Sequence, residues 1–223
     1  MHNRVTRYAA GAAYISGIMG IVGFVSMVLF FALEAPQAAA SSGSGFYFWG
    51  LISDISGPAT MVPLLLVVLA LHQIERDTAP MLSRIAAAFG MIGALAVTVL
   101  QLLLIFKFLT FEQEVGPVVL ANAVVGVWLV LANHLARVQA VLSPRLAWLG
   151  IVVGMSFVLY PVIFPIVGGA GFYNNLGSNY LLLIVTSLIF LISYIGFPVW
   201  AVWLGRVWSR QRATARTEAA YAR

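Results

Sequence analysis

One carboxylate stands inside an apolar run. Asp54 lies in "FYFWGLISDISGPATMVPLLLVVLALHQIER", residues 46–76, and Gly57 and Pro58 follow it closely. In hydrocarbon an ionised carboxyl without a partner costs several kcal/mol, so Asp54 must be protonated, paired or in contact with water. Two roles satisfy that requirement. One is a proton-linked or cation-contacting carboxylate; the other is a carboxyl hydrogen-bonded to Ser53, Gln101 or Asn122 that fixes helix packing. The Gly57-Pro58 step favours the first, because an unwound helix at membrane depth is tolerated where it lines a cavity.

Other reactive residue types are sparse. Lys107 is the nearest cation, but it sits about 120° round a helix from Gln101 and close to the end of its apolar run. Its ammonium is expected to reach the interface, with a pair to Asp54, Glu112 or Glu114 as the alternative. His72 and His134 each lie about one turn inside an apolar boundary, where two imidazoles could grip a haem from opposite sides. No further ligand spacing accompanies them, so they read as interfacial histidines and no cofactor is expected. The chain has no cysteine, which excludes disulfides, thiolate metal sites and cysteine nucleophiles. It also lacks the His-Glu-x-x-His, Gly-x-Ser-x-Gly, phosphate-loop and paired-carboxylate patterns. No catalytic residue is assigned, and an enzyme is not expected.

The elements that must position these residues follow from composition. Of 223 residues, 62% are hydrophobic and 9% charged, far below the roughly 25% charged residues of a soluble domain. Six apolar runs, 9–33, 46–74, 85–109, 116–136, 147–167 and 179–205, each suffice to cross a bilayer core of about 30 Å. Short polar separators divide them. The expected fold is all-α: a polytopic membrane protein with a six-transmembrane-helix bundle over residues 1–205 and a basic tail over 206–223.

Eleven of the twelve basic residues fall on one side of such a bundle, leaving Lys107 alone on the other. By the positive-inside rule both termini are cytoplasmic. The basic excess therefore reads as a topology signal, not as a nucleic-acid surface. A basic start followed by "APQAAASS" resembles a secretory signal, but the first apolar run exceeds the 7–15 residues typical of one, so an uncleaved anchor is expected. The tail "GRVWSRQRATARTEAAYAR", with Trp208, serves as a topology anchor or a surface helix on anionic lipid headgroups. Trp200 and Trp203 read as interfacial belt residues.

Small residues mark the buried faces, since close packing between helices in lipid selects them. Ser16, Gly20 and Gly23 make such a stripe; so do Gly50, Asp54, Gly57 and Pro58, and Gly90, Gly93, Ala94, Val97 and Gln101. Asn122, Gly126 and Asn133 share a face of the fourth run. In the sixth, Asn179-Tyr180, Thr186-Ser187 and Ser193-Tyr194 recur every seven residues. Ser156 and Tyr160 precede Pro161 and Pro165, which are expected to kink the fifth run. Counted at 1.5 Å per residue, Asp54, Gln101, Asn122 and Tyr160 lie at similar depth, roughly 10–12 Å from the outer edge. They are expected to meet in an outward-facing polar pocket, capped by "GGAGFYNNLGSN".

A faint repeat relates runs two and three to four and five: Gly57-Pro58 and Gly116-Pro117, His72 and His134, "MLSR" and "LSPR". If it is real, parallel helical hairpins result, as in some transporters and scaffolds. Residues 142–154, "LSPRLAWLGIVVG", resemble a group of bacterial multi-pass inner-membrane proteins classed as a domain-of-unknown-function family, which show an "LPRWLGW"-like turn before a late span. "RYAAGAAYISGI", Ser53-Asp54 and "GFPVWAVWLGR" are similar too, while Ser143 and Ala147 depart from the pattern. The resemblance implies a six-span protein of the bacterial inner membrane and implies no activity. Two functions from different classes remain. One is a pocket binding a small polar or cationic ligand, or relaying a proton, including a transporter that works as a homo-oligomer; the other is an accessory or scaffold subunit of a membrane complex.

Overall fold

The computed structural model describes residues 2–35, 47–166 and 180–221. Every element in it is helical: α1 (His2–Leu29) running into a π-helical turn (Phe30–Glu34), α2 (Phe48–Glu75), α3 (Pro80–Ile105), α4 (Phe111–Val138), α5 (Pro144–Ile166) and α6 (Tyr180–Tyr221). Six helices are long and apolar enough to cross a membrane, with mean hydropathy between 1.8 and 2.3 over their most apolar stretches. The sequence "GGAGFYNNLGSN" and Asn179 lie outside the described residues.

Each helix packs on its neighbours in sequence, and α6 closes back onto α1. The result is a ring, crossed in the middle only by α2 touching α4. Small residues set its closest approaches. Gly126 of α4 and Gly154 of α5 face one another so tightly that a Cβ on either would meet the other's carbonyl oxygen at 2.6 Å. Half of the most apolar stretch of α4 is buried against 17% for α1, which makes α4 the most buried helix of the ring and α1 the least.

One end of the ring is solid. Leu64, Val67, Val68 and Leu71 of α2 meet Val125, Trp128 and Leu129 of α4, together with Trp200 and Leu204 of α6, all fully buried. Trp128 and Trp200 pack edge to face at 5.9 Å, and the Trp200 indole N–H donates to Asn133 Oδ1 at 3.0 Å. Asn133 in turn donates from Nδ2 to the Leu129 carbonyl at 2.8 Å, so this buried amide is paired at both ends. Trp200 is therefore a core residue and not a belt residue: its N–H finds an amide inside the bundle where the belt reading needs interfacial water. Trp208 is likewise buried, at 2% exposure, within the same core. The sixth helix continues without a break through residue 206 to Tyr221, so the basic segment extends the helix.

Three of the boundaries that differ from the apolar pattern do so for local reasons. α3 stops at Ile105, four residues early, because Lys107 adopts a positive φ of 60°. The Phe108 N–H then reaches the Leu103 carbonyl at 2.8 Å and the Lys107 N–H the Leu104 carbonyl at 2.9 Å, the Schellman closure of a helix end. α4 starts at Phe111 instead of 116, because Thr110 and Gln113 form a reciprocal capping box. α5 starts at Pro144, where Ser143 Oγ accepts from the Leu146 N–H at 3.5 Å and proline suits the first helical position. The expected unwinding at Gly57-Pro58 is absent, for α2 stays helical through Pro58 and Pro63. A proline in a helix costs one hydrogen bond, and packing on α1 and α3 holds the rest of the turn in place.

Candidate functional site

The other end of the ring encloses a cavity of about 970 Å³, and Asp54, Gln101, Asn122 and Tyr160 all line it. Asp54 comes from α2, Gln101 from α3, Asn122 from α4 and Tyr160 from α5. Their shared depth follows from helices of similar length joined by short turns.

Asp54 makes no hydrogen bond or ion pair with any described residue. Its packing role through Ser53, Gln101 or Asn122 is thus not what the structure contains. One turn further along α2, Gly57 receives the side-chain amide of Gln101, which lies where a Cβ would stand. Gln101 Oε1 is buried there without a protein partner. Pro58 adds a second polar group, because its missing N–H is the donor that would pair with the Asp54 carbonyl. Pro161 removes the corresponding donor for the Phe157 carbonyl, and Phe157 also lines the cavity.

Glu114 falls between the apolar runs in the sequence, which points to a solvated turn, but the structure places it inside the bundle. It is 3% exposed, lines the cavity, and its Oε1 has no hydrogen-bond partner. Glu114 and Asp54 line the same cavity. A signal for this was present: Thr110-x-x-Gln113 is a capping-box pattern, which starts the helix early and carries Glu114 into the bundle. Lys107 lines the cavity's rim, is exposed, and forms no ion pair with a described residue.

The acidic residues of the lining stand on one half of the ring and most of its aromatic rings on the other, with Phe111 of α4 and Thr186 and Ser193 of α6 as exceptions. Ser53, Asp54, Gln101, Glu114 and Asn122 belong to α2, α3 and α4. Across from them stand the rings of α5, α6 and α1. Phe190 stacks on Tyr194 at 4.3 Å and meets Tyr160 at 6.1 Å and Phe24 at 6.3 Å, and Phe157 meets Tyr194 at 6.1 Å. Tyr160 is therefore part of an aromatic wall as well as a polar residue. At the mouth, the Glu34 carboxylate accepts from the Trp49 N–H at 3.0 and 3.1 Å and from the Gly50 N–H at 3.1 Å. It caps α2 from a neighbouring helix, in place of Tyr47, which gives no side-chain cap.

The remaining sequence candidates serve packing. Ser16 Oγ donates to the Thr60 carbonyl at 2.8 Å, and Ser193 Oγ donates to Ser156 Oγ at 2.9 Å. At the solid end of the ring, His72 Nδ1 lies 2.7 Å from Ser83 Oγ, while His134 is exposed. The two histidines share no site. Glu75 is buried at that end too, away from the cavity. Among the described residues no three His, Cys, Asp or Glu side chains group as a metal site.

Compared with models of protein families, with curated proteins and with solved structures, the chain matches none.

Proposed function

We propose that this is a non-enzymatic multi-pass protein of a bacterial inner membrane, with both termini in the cytoplasm and the cavity facing outward. It binds a small polar or cationic ligand, or carries a proton or cation, at Asp54, Gln101, Asn122 and Tyr160. One observation carries the reading: among the described residues, four of the five buried side-chain atoms without a hydrogen-bond partner belong to Tyr47, Thr60, Gln101 and Glu114, all on the cavity wall. An unpaired buried polar atom costs about 1–3 kcal/mol, so such a cluster is stable only if something polar satisfies it. The basic residues of the turns at the solid end support the orientation through the positive-inside rule.

The rival reading, an accessory or scaffold subunit, uses polar stripes to hold helices together. Ser16, Asn133, Ser156 and Ser193 already do this within the chain, which leaves Asp54, Gln101 and Glu114 without such a role. The deciding experiment is thermal stability of purified wild type and Asp54→Asn across pH 5–8, with and without a panel of cations and small metabolites. A shift that Asp54→Asn abolishes supports the pocket. Identical responses, with a stoichiometric partner in the preparation, support the scaffold.

A further inference from the structure

We infer that the cavity selects amphipathic organic cations: an ammonium group held between Asp54 and Glu114, its apolar body lying against the aromatic wall of α5, α6 and α1. The inference rests on the ligand-pocket reading and names the class of ligand. Its basis is the division of the lining. Both acidic side chains stand on the α2–α4 half, while the rings of Phe157, Tyr160, Phe190 and Tyr194 stand on the other. Glu114 is almost wholly buried, and its Oε1 together with Gln101 Oε1 supplies acceptors that lack donors. An N–H-bearing cation provides both the donors and the charge. The faces of the opposite rings attract cations as well, so no part of the lining opposes a positive group except Lys107 at the rim.

Competing ligand classes fit less of this surface. An anion would meet two carboxyls. A bare metal ion wants a tight shell of about six to eight oxygens and leaves the aromatic half uncovered. At about 970 Å³ the cavity lies in the range of sites for drug-sized organic molecules, roughly 300–1,000 Å³. An uncharged apolar molecule would cover the rings but strand the unpaired acceptors. Only a molecule with a cationic head and an apolar body matches both halves.

The test uses the full chain in detergent micelles and three probes with one body: 4-phenylbutylammonium, 4-phenylbutanol and 4-phenylbutyrate. Calorimetric affinities are measured for wild type, Asp54→Asn, Glu114→Gln and Tyr194→Leu. The ammonium is expected to bind about tenfold tighter than the alcohol, with the carboxylate weakest, a gap of about 1.4 kcal/mol per decade. Either acid substitution should remove that preference and leave alcohol binding unchanged. Tyr194→Leu keeps both acids and should weaken the ammonium by a few fold, so the inference stays testable if Glu114→Gln does not fold. If the alcohol binds as well as the ammonium and still shifts the stability of wild type but not of Asp54→Asn, the cation inference falls and the pocket survives. If no probe binds and Asp54→Asn matches wild type in every condition, both fall together.

Discussion

The same substitution at two glycines should have opposite effects. At Gly57 a new Cβ would meet the side-chain amide of Gln101, and at Gly150 it would meet that of Asn133. Alanine gains about 1 kcal/mol over glycine in a helix in either place. What differs is whether the amide can yield. Gln101 is half-buried beside a cavity, its Oε1 has no partner to lose, and its long side chain can swing aside. Gly57→Ala should therefore be neutral or up to about 1 kcal/mol stabilising. Asn133 is fully buried and holds both the Leu129 carbonyl and the Trp200 indole N–H. Displacing it costs about 1 kcal/mol per hydrogen bond, strands the Trp200 N–H, and adds overpacking of about 1–3 kcal/mol. Net of the helix gain, Gly150→Ala should lose about 2–4 kcal/mol. Thermal midpoints of the two variants in one detergent should differ by on the order of 5 °C, with Gly57→Ala the higher. Equal midpoints, or the reverse order, would refute the distinction between a yielding and an anchored amide.

Two further substitutions probe the ends of helices. Glu34→Ala removes the carboxylate that accepts from the Trp49 and Gly50 N–H groups. Loss of a cap costs about 0.5–2 kcal/mol, and Glu34→Gln should recover part of it; an unchanged thermal midpoint for Glu34→Ala would show that the cap is idle. Ala140 holds a φ of 55° at the end of α4, a conformation that glycine adopts freely. The Val141 N–H reaches the Ala136 carbonyl at 2.9 Å and the Ala140 N–H the Arg137 carbonyl at 3.1 Å, a Schellman closure. Ala140→Gly should raise the midpoint by the equivalent of about 1 kcal/mol, and a lower midpoint would contradict that closure.

Much of the cavity was legible because depth in a membrane helix is a matter of counting. Asp54, Gln101, Asn122 and Tyr160 sit at one level, and small-residue faces turn them inward. Glu114 was hidden because an acidic residue next to a turn reads as solvated, and only the capping box tells that the turn has ended. Trp200 was misread for the reverse reason: near the end of an apolar run a tryptophan suits the interface equally well. Its partner, Asn133, lies 67 residues away, and no local pattern links them. The division into an acidic and a mostly aromatic half was beyond reach for a similar cause. It depends on α6 closing against α1, a contact between the ends of the chain.

The ring's solid end has an electrical consequence. A packed plug built on Trp128, Trp200 and Leu64 insulates, whereas in the proposed orientation solvent entering the cavity would bring the outer potential in with it. The membrane voltage, worth about 2.3 kcal/mol per elementary charge per 100 mV, then falls mainly across the plug. A cation arriving at Asp54 and Glu114 has crossed little of that drop. Its occupancy should accordingly be almost independent of voltage, and any step that carries charge past Trp200 should take nearly all of it.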